Sequence, residues 1–123
     1  MLTEKDYCDY ATCVALKELG YNYPLELITD YFGVLDVPFH DKKIHLYDAQ
    51  KWLREEKGIH ITINYIRLEE DIFMYTLRHI GKKLRENGGL YNNEQYSSYE
   101  EALSEGIKEA VKILMEENNG NSL

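Results

Sequence analysis

Cysteine, proline and tryptophan are scarce in this chain, whose 123 residues include two cysteines, two prolines and one tryptophan. Cys8 and Cys13 are too few for a disulfide-stapled extracellular scaffold, and their spacing does not make a CxxC redox pair. Inside a helix they would lie about 140° apart, so reduced, intracellular thiols are expected. No apolar run reaches the length of a membrane span, and Met1 to Asp9 is too polar for a signal peptide. The expectation is cytoplasmic residence with no membrane partner. Positive charge is also short: 14 Lys and Arg face 22 Asp and Glu, a net charge of -8. Residues 1–60 and 61–123 each hold seven basic and eleven acidic residues, so neither half forms a basic tail or domain. General attraction to nucleic acid or an anionic membrane is disfavoured, whereas an acidic protein partner or nucleic-acid mimic is allowed.

Recognisable catalytic motifs are missing as well. His40, His45, His60 and His79 form no HExxH and no cysteine-histidine zinc spacing. His60 and His79 become cross-strand neighbours if a hairpin joins their segments, but two imidazoles do not complete a metal site. His45 with Asp48 reads as a polar pair at a helix entrance. Asp9 lies one helical turn from Cys13, where a carboxylate opposes thiolate formation. Carboxylate pairs such as Glu55 with Glu56, Glu69 with Asp71, and Glu100 with Glu101 lack a pattern tying them to a cleft. Gly88 and Gly89 lack the strand, glycine spacing and lysine of a phosphate loop. The expectation is a protein without cofactor, metal or catalytic set, not an enzyme.

Tyrosine is abundant, eleven against three phenylalanines. Its ring packs while its hydroxyl still needs water or a partner, which suits half-buried rims and contact surfaces. The clearest element is Ser98 to Glu117. Ser98 caps free amides at the helix start, Glu101 is placed to reach back to the Ser98 amide, and Leu103, Ile107, Ala110 and Leu114 recur at helical spacing. Ala102, Val111 and Ile113 widen that stripe, so one face must be buried.

From the N-terminus, Thr3 reads as the N-cap of a first helix, with Asp6 at its third position, Leu2 stapled to Tyr7, and Gly20 as its stop. Pro24 to Phe32 reads as a short second helix ended by Gly33, and Val34 to Asp41 as a connection interrupted by Pro38. Lys43 to Leu46 leads as a short strand or extended entry into a helix reaching Lys57, with Trp52 as a core anchor and Gly58 as the stop. Ile59, Ile61, Ile63 and Tyr65 alternate with His60, Thr62, Asn64 and Ile66, the clearest strand signal. Arg67 to Asp71 is a polar turn. Ile72 to about His79 has both strand composition and helical spacing, and is assigned as the strand that the preceding segment needs. Gly81 to Gly89 reads as a basic turn, and Leu90 to Tyr96 as a short edge strand. The predicted fold is α+β, a small antiparallel sheet of two to four strands packed against three or four helices. Residues 1–117 form a single domain and residues 118–123 a frayed tail.

Two functional classes follow. Tyr91, Tyr96 and Tyr99 are candidates for a protein-binding surface, because aromatic contacts concentrate binding energy when their rims exclude water. The expected partner is another protein or a second copy of the chain. The alternative is a winged-helix-like nucleic-acid-binding protein, in which three helices precede a hairpin. Lys51, Arg54 and Lys57 on the third helix, with Arg78, Lys82, Lys83 and Arg85 beside the hairpin, would then neutralise phosphates. Overall charge, and Glu55 and Glu56 on the same helix, disfavour it.

The stretches LYDAQKWLREEKGIHITI from Leu46 to Ile63, SYEEALSEGIKEAVKIL from Ser98 to Leu114, and DYATCVALKELGY from Asp9 to Tyr21 carry a resemblance. They resemble small uncharacterised proteins of Bacteroides-type gut bacteria and their phages or mobile elements. The resemblance covers under half of the chain. It implies a compact intracellular accessory protein and brings no catalytic residue.

Overall fold

A computed structural model describes residues 4–23, 26–27, 42–79, 89–91 and 94–118. The described elements are a 3-10 turn at Glu4–Asp6, helices α1 (Tyr10–Glu18), α2 (Leu46–Lys57) and α3 (Tyr99–Asn118), and strands β1 (Glu26–Leu27), β2 (Lys42–Lys43), β3 (Ile59–Arg67), β4 (Asp71–His79) and β5 (Gly89–Tyr91). Strands β1 and β2 pair antiparallel, and β3, β4 and β5 form a separate antiparallel sheet in that order. The architecture is the predicted α+β class.

The N-terminal segment departs from the predicted single helix. Its helix starts at Tyr10, not near Thr3, and its N-cap is Asp9, whose carboxylate accepts from the Thr12 amide at 2.8 Å. Upstream, the Cys8 amide donates to the Ile44 carbonyl at 2.8 Å and Tyr7 bridges His45, so a non-local strand-like contact replaces the first helical turns. Cys8 and Cys13 are buried free thiols, and Cys13 donates to the Cys8 carbonyl across the capped turn. Gly20 ends the helix with φ of 103°, the positive value expected of it.

Burial pushes the Asp9 carboxyl up, but hydrogen bonds from Thr12 and the Lys108 ammonium outweigh it and hold the group below its ordinary 3.8. A folded-state value below the unfolded one stabilises the fold above pH 3.8, and that contribution is lost as pH falls through the depressed value. Replacing Asp9 with Ala is expected to cost about 0.5–2 kcal/mol in urea unfolding, with Asn recovering most of the loss. The Asp9→Asn variant should also lose less stability than the native chain between pH 5 and 3, a range set by the ordinary carboxylate value.

Glu26 and Leu27, predicted as helix, are strand, paired with Lys43 and Lys42. Only these two residues of the expected 24–32 helix, with none of residues 34–41 and 80–88, fall within the described set. Helix α2 begins where His45 Nδ1 accepts from the Tyr47 amide at 3.1 Å, rather than through a pair with Asp48, and stops at Gly58 in the left-handed conformation. Its buried Leu46, Ala49, Trp52 and Leu53 form one side. Trp52 anchors the core as expected, hydrogen-bonding Asn22 through its indole nitrogen and meeting the Tyr21 ring.

Strands β3 and β4 pair along their whole lengths, from Ile59 opposite His79 to Arg67 opposite Asp71, which resolves the segment after Asp71 as strand. Strand β5 adds Gly89–Tyr91 to β4, and Tyr96 makes an isolated two-bond bridge to Phe73. The predicted last strand is thus shorter than Leu90 to Tyr96. Helix α3 covers one sheet face through Ala102, Leu103, Ile107, Ala110, Val111 and Leu114, all buried. Ser98 accepts from the Glu101 amide as predicted, whereas the Glu101 carboxylate accepts from the neighbouring Ser97 hydroxyl. The helix includes Asn118, the first residue of the predicted tail.

Candidate interaction surface

The β3–β4 hairpin is buried at its base and exposed at its end. Ile59, Ile61, Tyr75 and Leu77 lie in the core, with Ile61 and Tyr75 directly against Gly106 of α3. Because side chains alternate, Ile63, Tyr65, Phe73 and His79 point to that helix-facing side. His60, Thr62, Asn64, Ile66, Ile72, Met74, Thr76 and Arg78 point to the other. From Asn64 to Asp71 every residue is exposed, including Tyr65 at 55%, Ile66 at 42% and Leu68 at 68%. These three share the hairpin end, Tyr65 on the helix-facing side and Ile66 on the other, whereas the other large exposed apolar residues described, Tyr10 and Tyr47, lie apart from it.

The arm is braced internally. Asp71 accepts from the Tyr65 hydroxyl at 2.6 Å and from the Arg67 guanidinium at 3.0 Å, while the Tyr65 and Phe73 rings lie 5.2 Å apart. The Asp71 hydrogen bond pushes the Tyr65 phenol up. Arg67 is therefore neutralised locally, and Glu69 and Glu70 leave the turn acidic. Across the next part of the hairpin, Asn64 donates to Thr76 at 3.0 Å.

One side of β3 is a sheet edge, with no strand beside it among the described residues. Gln50 of α2 donates to the Ile61 carbonyl at 3.0 Å, which fixes the direction of the backbone groups. In an antiparallel ladder alternate residues turn both backbone groups toward the partner strand. Thr62, Asn64 and Ile66 therefore bond to β4, while Ile61, Ile63, Tyr65 and Arg67 direct theirs outward. No charged residue or proline interrupts Gly58 to Ile66.

The tyrosines selected from sequence follow the hairpin in the chain. Tyr91 is opposite Thr76 in β5. Tyr96 is half-buried and stacked on Tyr75 at 6.3 Å, and burial followed by Tyr75 and Glu94 pushes its phenol up to about 12. Tyr99 starts α3, half-buried, with its ring 6.3 Å from Tyr47. Tyr96 and Tyr99 pack against the core, and Tyr96, bridged to Phe73, also lines a shallow cleft with Glu70, Asp71 and Ile72 beside the Tyr65, Ile66 and Leu68 group. That group was missed by sequence reasoning, although adjacent Tyr65 and Ile66 break the alternation and Leu68 interrupts a charged turn.

Among the basic candidates, Lys51 and Arg54 are exposed on α2, and the Lys57 ammonium lies 5.5 Å from the Trp52 ring centre. Arg78 occupies the sheet face opposite α3, while Lys82, Lys83 and Arg85 lie outside the described residues. His60 sits opposite Arg78 and His79 opposite Ile59, so the histidines are on opposite faces rather than paired. No group of three or more His, Cys, Asp or Glu suited to a metal occurs among the described residues.

Between the N-terminal turn and the start of α3 lies an open cleft of about 300 Å³. Lys108 bridges its Asp9 and Glu105 at 3.3 and 2.9 Å, so these charges satisfy one another. Among the described residues no helix is long and apolar enough to cross a membrane. No family model, curated protein or solved structure matches the chain.

Proposed function

We propose that the chain is a non-catalytic cytoplasmic accessory protein that works by protein contact, and that the end of the β3–β4 hairpin is its contact surface. The accessory role, with bacterial or phage origin, is the one implied by the sequence resemblance. The observation supporting the reading is the exposure of Tyr65, Ile66 and Leu68 together at the end of a braced arm. With Tyr65 and Ile66 on its two faces, the hairpin end offers apolar side chains to a partner that grips it from both sides, whereas exposed apolar residues scattered singly are ordinary. The nucleic-acid alternative, with Lys51, Arg54 and Arg78 contacting phosphates, is disfavoured by the net charge of -8 and by Glu55 and Glu56 beside Arg54 on α2.

Affinity capture from lysate of the organism carrying the gene tests this reading, with nuclease treatment and a high-salt wash. The native chain is compared with Tyr65→Ser, Ile66→Ser and Leu68→Ser combined in one chain. A nuclease-insensitive protein retained by the native chain and reduced at least about tenfold by the variant is expected, a loss of roughly 1.4 kcal/mol or more. Undiminished capture by a folded variant would overturn the assignment of the surface. Salt-sensitive, nucleic-acid-dependent recovery lost in Lys51→Ala/Arg54→Ala would instead support phosphate contact.

A further inference from the structure

Resting on the interaction reading, we infer that the occupant of this surface is a second copy of the chain, joined by antiparallel pairing of the two β3 edges. The outward backbone groups make the pairing geometrically self-complementary, since a strand laid antiparallel to its own copy is related to it by a two-fold axis. Gln50 already occupies the Ile61 carbonyl, leaving Ile63, Tyr65 and Arg67 as the accessible ladder. Their symmetric register centres on Tyr65, with Ile63 opposite Arg67 of the other copy. The result is a six-stranded sheet with both sets of helices on one side, built from two copies of the three-stranded one.

Charge supports this occupant over an unrelated strand. On a helix, positions four residues apart share a side, so Gln50, placed at the β3 edge by its bond to Ile61, is accompanied there by Arg54, while the Lys57 ammonium overlies Trp52. In the Tyr65-centred register Arg67 stands opposite Ile63 of the second copy, and the turn beyond it, with Glu69 at its tip, comes level with that copy's Ile61 before the chain returns along β4. The acidic turn of each copy thus reaches the basic α2 flank of the other, and the two-fold axis makes that match twice. Arg67 does not oppose it, because Asp71 already holds its charge at 3.0 Å. The uncharged Gly58 to Ile66 run also lacks the charges and prolines with which exposed edges ordinarily prevent pairing.

Sedimentation equilibrium of the full chain over a micromolar to millimolar series tests the inference. A monomer–dimer equilibrium is expected. Tyr65→Pro removes an outward amide without breaking the β4 ladder, and is expected to leave a folded chain, checked by circular dichroism, that dimerises at least about tenfold more weakly. Arg54→Glu should weaken the dimer similarly, and combining it with Glu69→Lys and Glu70→Lys should restore it, an outcome simple damage to the fold would not give. A monomer throughout the series, or a dimer insensitive to both Tyr65→Pro and Arg54→Glu, would overturn self-pairing. If the chain is monomeric but its serine variant still loses a captured protein, the contact surface stands and its occupant is a different protein. Loss of neither dimer nor captured protein would remove both readings.

Discussion

Replacing Trp52 with Ala is expected to lower unfolding stability by about 3–5 kcal/mol, the usual range for deleting a buried tryptophan. Trp52 is 2% exposed, so nearly its whole ring leaves a cavity, and its loss also strips Asn22 of the indole donor at 3.2 Å. The Tyr21 ring, 5.6 Å from Trp52, and the overlying Lys57 lose their support as well. Small domains are stable by only about 5–15 kcal/mol, so the variant should be partly unfolded near physiological temperature. Trp52→Phe keeps most of the apolar volume and removes the hydrogen bond, and should cost less than half as much. Urea unfolding followed by far-ultraviolet circular dichroism measures both without depending on the lost indole. An Ala variant within about 1 kcal/mol of the native chain would show that the core does not rest on this anchor.

A second large effect is expected at Gly106. In an open helix, replacing Gly with Ala gains roughly 1 kcal/mol because glycine is a poor helix former. Here a Cβ would stand 2.9 Å from Ile61 Cγ2 and 3.3 Å from Tyr75 Cγ, both part of the buried sheet face. Overpacking costs typically about 1–3 kcal/mol, so Ala should be neutral to destabilising, and Leu should destabilise by more than 2 kcal/mol. Ile61→Ala removes the nearest methyl group. The Gly106→Ala/Ile61→Ala pair is therefore expected to be less destabilised than the sum of its single variants, in a double-mutant cycle read by urea unfolding. Additive costs would mean that α3 does not approach the sheet at this point.

What could be read from the sequence divides along the range of the interactions responsible. Helix α3, helix α2 and the β3 alternation follow from periodicity and local caps, and each is found close to its predicted bounds. Trp52 was legible because its neighbours share its helical side. The N-terminus was not, because Thr3 and Asp9 offer similar capping chemistry and the contact favouring Asp9 is the pairing of Cys8 with Ile44, far along the chain. Glu26 and Leu27 read as helix after Pro24 for the same reason, since their strand exists through Lys42 and Lys43. The exposed hairpin end proposed as a contact surface was hidden by a related difficulty. Tyr65 continues the inward-facing pattern of Ile59, Ile61 and Ile63, and its exposure depends on where the covering helices stop. Tyrosine-rich sequence near the last helix drew attention to Tyr96 and Tyr99, which are half-buried against the core, Tyr96 beside the hairpin end.

Residue-resolved amide exchange by nuclear magnetic resonance, at low and high protein concentration, tests the β3 contact most directly. The amides of Thr62, Asn64 and Ile66 face β4 and should be protected at both concentrations. Those of Ile63, Tyr65 and Arg67 face outward and should exchange rapidly in the dilute sample and become protected in the concentrated one. Outward amides that exchange rapidly at both concentrations, or are equally protected at both, would contradict pairing of this edge with a second copy.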